Sequence, residues 1–230
     1  MKISVIIPVL NEASTIQTTL HQVQQTTTAV EIIVVDGGST DNTVELAQAT
    51  GAKVLVSPRA GRAIQMNLGA TKATGDILLF LHGDTFLPNG YGLMVEALIS
   101  KPEIVAGAFP LSIDGDWLSL RIVEKLVNWR SRFLNFPYGD QAIFLKASTF
   151  QALGGFPNLP IMEDFELLRQ LRRKGKIALT PASVVTSGRR WQKLGVWRTT
   201  LINQVIILGY LGGVKPERLV SWYHRAKNSH

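Results

Sequence analysis

The 230 residues contain no cysteine. That single absence removes disulfides, thiolate metal sites, iron–sulfur clusters and cysteine nucleophiles together. Long hydrophobic runs are missing as well. The longest, Leu201 to Val214, is broken by Asn203, Gln204 and three glycines, and falls short of the roughly 20 apolar residues a spanning helix requires. The apolar N-terminus is interrupted by Pro8, and Asn11 and Glu12 follow at once without a small-residue cleavage site. A buried first strand is expected there rather than a signal peptide. Repeats, low-complexity tracts and linkers are lacking too. So are the spacings of a zinc finger, a P-loop or an RNA-recognition strand, so no nucleic-acid partner is expected. The expected location is cytoplasmic, at most peripheral on the inner membrane face.

Acidic residues are the scarcer charge, 17 against 24 basic, for a net +7. The imbalance is uneven along the chain. The first hundred residues hold five basic and eight acidic side chains, a balance of −3, and the remainder holds 19 and nine, a balance of +10. A basic half suits an anionic partner, such as a phosphate-bearing ligand or a membrane face, or else reflects solvated helix faces. With 46% hydrophobic and 18% charged residues the chain is too apolar for disorder. Its length suits one large domain.

Short β-branched runs alternate with helical patterns through the first hundred residues. Residues 3–9, 31–35, 53–56 and 76–81 read as buried strands, too apolar for one solvated face. Residues 12–26, 41–50 and 61–74 carry helical spacing between them. The β-α-β-α-β-α-β order predicts a parallel, Rossmann-like sheet. Further on, helices are expected over 90–100, 116–135 and 164–174, strands over 105–113 and 141–146, and mostly helix at the end. In helix 116–135, Trp117, Leu120, Val123, Leu126, Val127 and Trp129 read as a core face.

In such sheets ligands bind beyond the carboxyl ends of the strands. Strand one runs into Pro8-Val9-Leu10-Asn11-Glu12, strand two into Asp36-Gly37-Gly38-Ser39-Thr40-Asp41, and strand four into His82-Gly83-Asp84. Three strands thus deliver carboxylates and small residues to one rim. Glycines there admit a ligand to backbone N–H groups, and helix N-termini favour phosphate.

These segments, with Gly154-Gly155-Phe156 and Met162-Glu163-Asp164-Phe165 downstream, resemble in order and spacing the motifs of family 2 glycosyltransferases. The resemblance covers about residues 2–190. It implies a single GT-A domain, a Rossmann-like, mixed and mostly parallel sheet flanked by helices. Residues 1–100 would be the nucleotide-sugar half, 101–190 the acceptor half, and 191–230 a helical C-terminal extension. It also implies inverting transfer of a sugar from a nucleotide-diphospho-sugar co-substrate with a divalent metal, Mg²⁺ or Mn²⁺.

Carried over by position, Pro8, Asn11 and Glu12 would line the nucleotide, Asp36 would contact the base, and Ser39 and Asp41 share its loop. Arg62 and Asn67 match the positions seen before the fourth strand. Asp84 would hold the metal, with His82 as a further ligand or a phosphate contact. Asp164 would be the general base, because attack by an acceptor hydroxyl needs a proton acceptor, and Glu163 would support it. Asp140 and Gln141, and Arg190 and Trp191, are expected near acceptor or diphosphate. Two departures from the family stand out: Asp36 is followed by Gly37-Gly38 instead of a second acid, and the Asp-x-Asp metal motif reads His82-Gly83-Asp84. They keep open a non-catalytic nucleotide-sugar-binding or regulatory protein of the same fold. The acceptor is expected to be lipid or membrane-associated, and a homodimer is a further expectation.

Overall fold

The computed structural model describes residues 1–228, so the last two positions of the expected extension lie outside the described residues. The first half follows the sequence closely. Strands β1 (Ile3–Val9), β2 (Val30–Asp36), β3 (Lys53–Val56) and β4 (Ile77–Phe80) alternate with helices α1 (Ile16–Gln24), α2 (Thr43–Ala49) and α3 (Arg62–Lys72). β1 pairs in parallel with β2 and β4, and β2 with β3. The strands are buried on both faces, as a parallel sheet between helices requires: Ile3, Val5, Ile6, Ile7, Ile33 and Val34 have no exposed surface. Alternate residues of each strand feed two cores, Ile7 and Val34 one, and Ile6 and Val35 the other. Helix α1 starts four residues later than expected, because Asn11 takes a left-handed φ of 56° and residues 12–15 form a turn.

Beyond α4 (Tyr91–Ile99) the expected strand 105–113 is two strands, β6 (Ile104–Ala108) and β7 (Leu111–Ile113), parted at Phe109-Pro110. Proline cannot donate to a ladder and breaks it there. The two go to different sheets. The main sheet has the order β3-β2-β1-β4-β8-β6-β9, where β8 is Phe144–Lys146 and β9 is Lys176–Leu179. Only β8 runs antiparallel to its neighbours. A second sheet, β5-β10-β7, joins β5 (Thr85–Phe86) and β10 (Val184–Thr186) to β7. The expected strand 141–146 is shortened by a 3-10 turn at Gly139–Gln141.

Helices α5 (Leu118–Phe133), α6 (Ala147–Ala152), α7 (Glu163–Leu171), α8 (Arg189–Leu194), α9 (Val196–Leu211) and α10 (Pro216–Asn228) complete the chain. One sequence expectation is corrected here. Leu120 and Val123 of α5 are buried, but Trp117, Leu126 and Trp129 are not core: they are 49%, 58% and 58% exposed.

Candidate active site

The rim is built by loops that hold one another. Asp36, at the end of β2, is buried. It accepts hydrogen bonds from Gly38 N at 2.9 Å, Ser39 N at 3.1 Å and Ser39 Oγ at 2.5 Å. Its carboxylate therefore shapes the loop from within. Ser39 Oγ also accepts from Asn11 N at 2.9 Å, and Asn11 Oδ1 accepts from Thr40 N at 2.8 Å, which staples the β1 and β2 loops. Asp41 accepts from Ala13 N at 3.2 Å and from Thr43 N at 3.1 Å. The first contact joins the loop to the turn after β1 and the second to the start of α2.

The missing second acid after Asp36 has a local cause. A Cβ on Gly37 would sit 3.0 Å from the Gln65 amide. Gln65 is buried and donates from Nε2 to the carbonyls of Val9 at 2.9 Å and Val35 at 2.8 Å. This side chain, which the sequence reading missed, occupies the room that a larger residue would need. Asn67, one turn along α3, is likewise committed: its amide exchanges hydrogen bonds with Phe156 N and O at 2.9 and 2.8 Å.

His82 and Asp84 diverge. His82 lines a narrow pocket with Arg62, Met66, Phe80, Gly139, Phe156 and Asp164. Burial, with the Arg62 guanidinium nearby, pushes its imidazole down to about 3, so it is neutral at physiological pH. Asp84 instead meets Glu12 across Arg189. Arg189 Nη2 lies 2.7 Å from Glu12 Oε2 and 3.1 Å from Asp84 Oδ2. Those contacts hold the guanidinium above its usual range.

Arg190 and Trp191 go elsewhere. Arg190 donates to Asn203 Oδ1 at 2.8 Å and lies 5.0 Å from the Tyr223 ring centroid, while Trp191 is buried in the core. Arg189 had no signal of its own beyond its place in the Arg-Arg pair.

The pocket floor joins two distant motifs. Gly139 N donates to Asp164 Oδ2 at 2.7 Å, and a Cβ on Gly139 would fall 2.7 Å from that same oxygen. Glycine is needed for this approach. Glu163, buried beside it, pairs with Arg62 at 3.7 Å. Burial and the adjacent Asp164 raise its carboxyl against the pull of Arg62. Asp140 Oδ1 is buried without a hydrogen-bond partner. Burial pushes this carboxyl up to about 6, with Arg130 opposing and Asp164 reinforcing the shift. Gln141 is fully engaged, donating to the Phe109 carbonyl at 2.9 Å and accepting from Ser131 Oγ at 2.8 Å. Pro8 stays within β1.

A mostly parallel sheet with acids gathered at its carboxyl edge, and an antiparallel strand inserted beside β4, is the GT-A architecture. Residues 4–153 match the model of glycosyl transferase family 2, and the chain belongs to that family. A Mycobacterium bovis PGL/p-HBAD biosynthesis glycosyltransferase is 36% identical over 165 residues, 66% of this chain and 62% of the relative. Glucosyl-3-phosphoglycerate synthase of Mycobacterium tuberculosis is 36% identical over 99 residues, 38% of this chain and 30% of the relative. The chain thus spans less than two thirds of the length of these curated relatives. Among solved structures, the mannosyltransferase PcManGT of Pyrobaculum calidifontis, in complex with GDP-Man and Mn²⁺, gives a TM-score of 0.67 at 21% identity. It covers 96% of this chain and 68% of that one. TarS of S. aureus gives 0.67 at 19%, covering 86% and 64%.

The family implies a divalent cation, and the residues present suit one. Glu12 and Asp84 converge on one nitrogen of Arg189, so two hard oxygen donors already share a position fit for positive charge. No cluster of three or more ligating side chains exists among the described residues. Mg²⁺ is commonly bound by one or two carboxylates together with substrate phosphates, which matches this sparse set.

Proposed function

We propose that the protein is an inverting glycosyltransferase that moves a sugar from a nucleotide-diphosphate donor to a hydroxyl acceptor. The observation that carries this reading is the meeting of Asp164 with Gly139, His82 and Arg62 in one pocket beside the β4 end. Each Asp164 oxygen accepts one backbone N–H, Oδ2 from Gly139 and Oδ1 from Phe165. Each keeps a lone pair that can take the acceptor hydroxyl's proton as the hydroxyl oxygen attacks the anomeric carbon. The bond to the diphosphate breaks in the same displacement, and the nucleoside diphosphate leaves with its electron pair. The Gly139 and Phe165 amides fix the orientation of the Asp164 carboxylate in the pocket.

Glu163 holds Arg62 at the pocket wall. Neutral His82 keeps one ring N–H and one ring lone pair with which to meet the substrate. The Asn11–Ser39 loop offers the nucleotide side. Mg²⁺ or Mn²⁺ at Asp84 and Glu12 would supply the positive charge that a diphosphate leaving group needs. The acceptor class that best suits the apolar helices of the C-terminal half is a lipid or membrane-associated hydroxyl compound.

A screen of nucleotide sugars with and without divalent metal, scored by nucleotide release, tests the reading. Turnover with at least one donor is expected. Asp164→Asn should lower kcat by about 10²–10⁴-fold, the usual share of a general base, with donor binding unchanged. Tight donor binding without turnover of any donor would instead favour a binding protein of the same fold. Full activity in Asp164→Asn would remove the base from its role.

A further inference from the structure

A helix apolar on nearly every side, as α9 is, is ordinarily buried, and an amphipathic one, as α5 is, ordinarily turns its apolar residues inward; yet both present apolar side chains to solvent. On α5, Leu118, Ile122, Leu126, Trp129 and Phe133 recur at helical spacing along the outward face, each at least 40% exposed. On α9, Trp197, Leu201, Val205 and Leu208 do the same, 45–66% exposed, while Val196, Thr199 and Ile206 face inward. The two helices contact one another. Trp129 and Phe133 stack with centroids 5.5 Å apart. Exposed large apolar side chains clustered on two helices in contact mark an interaction site.

The surrounding charge selects the partner. Lys125 and Arg132 are exposed on α5, Lys193 on α8, and Lys215 and Arg218 at the α9–α10 turn. None of these five is in an ion pair among the described residues. The exposed acids of the same segments and of the approach to α5 are Asp114, Asp116 and Glu217. A two-fold dimer through this face would bring its cations against their own copies, which is repulsive. An anionic lipid surface complements both features: Trp, Phe and Leu enter the headgroup boundary while Lys and Arg meet phosphates. No helix among the described residues is long and apolar enough to cross a membrane.

We propose that α5 and α9 form a docking face that lies on an anionic lipid bilayer. This deepens the reading of a membrane-associated acceptor, and rests on that reading for its purpose but not for its geometry. The site and the face belong to one structural unit: α5 ends just before the Gly139–Gln141 turn whose first amide holds Asp164. Docking therefore places the Gly139 turn a few residues along the chain from the lipid-facing helix.

Sedimentation of the full chain with vesicles decides the matter. Vesicles of equal phosphatidylcholine and phosphatidylglycerol should bind at least about tenfold more tightly than phosphatidylcholine alone, and less tightly at high salt. The exposed pair Leu126→Gln and Trp129→Gln should abolish binding, and Lys125→Glu with Arg132→Glu should weaken it about tenfold or more. Both pairs should leave nucleotide release intact. A chain that ignores both vesicles, or binds them equally, overturns the proposal. So does a dimer in light scattering that the Leu126/Trp129 pair dissociates. Vesicle binding by a chain that turns over no donor would leave the face standing and remove the transfer reading instead.

Discussion

Arg189 and Arg190 are neighbours in sequence and differ in everything they touch. Arg190 is drawn to Asn203 and Tyr223 in the C-terminal helices, whereas Arg189 reaches back to Glu12 and Asp84 at the rim. The first turn of α8 sets this: consecutive residues on a helix point about 100° apart, so one faces the rim and the next the bundle. A sequence shows the pair but not the rotation. Arg189 supplies positive charge to the same two carboxylates proposed to hold a divalent ion, and on that reading the two would compete. Arg189→Ala is expected to raise Mn²⁺ affinity in the absence of nucleotide by about twofold to fivefold, the worth of a part-exposed ion pair. Titration of free Mn²⁺ by electron paramagnetic resonance reads this directly. Unchanged or weaker affinity would mean that Arg189 does not stand in for the metal.

At the scale of elements, β1 to β4 were legible because each is a short apolar run bounded by turn residues and buried on both faces. The second half was not. β10 spans only Val184–Thr186 and is paired with Phe86 and with Leu111–Ile113, partners too remote for any local pattern to announce. Leu126 and Trp129 share helical spacing with buried Leu120 and Val123 and yet lie on the outward stripe of α5, because periodicity marks apolar positions without saying what covers them. Glu163 and Asp164 stand together beside Arg62 and Gly139, whereas the Asp36 carboxylate is spent on Gly38 and Ser39 of its own loop. Asn67 and Gln141 were found as polar residues at the right positions, yet their hydrogen bonds are spent on Phe156, Phe109 and Ser131.

Gln65 and Gly37 form a pair that neither position reveals alone. Gly37→Asp, which restores a second acid, should destabilise the protein by about 1–3 kcal/mol through overlap with Gln65. In a Gln65→Ala background the added cost should shrink by at least about 0.5 kcal/mol, a coupling that urea denaturation of the parent and the three variants resolves. Equal costs in both backgrounds would show that Gln65 is not what excludes the acid.

For the whole molecule, the −3 and +10 halves meet at the carboxyl edge of the sheet. Acids from both halves, Glu12, Asp84, Asp140, Glu163 and Asp164, converge there with Arg62, Arg130 and Arg189 among them. Concentrating acids in a partly buried site costs stability, and Asp140 gives that cost a pH signature. Its carboxyl is pushed up to about 6 by burial, above an unfolded value near 3.9, so the folded state holds this proton more tightly than the unfolded chain does. The stabilising contribution of the protonated acid is complete below about pH 4 and is lost as pH rises through about 6. Asparagine keeps a neutral side chain at every pH. Asp140→Asn should therefore be more stable than the parent at pH 8 by about 1–3 kcal/mol, a difference that vanishes near pH 4. The same variant should lose transfer if the unpartnered Asp140 oxygen receives substrate, trading function for stability as site substitutions commonly do. Urea midpoints for the two proteins across pH 4–8 measure the first effect. A stability difference that stays flat across that range would mean that Asp140 ionises in the fold as readily as in water.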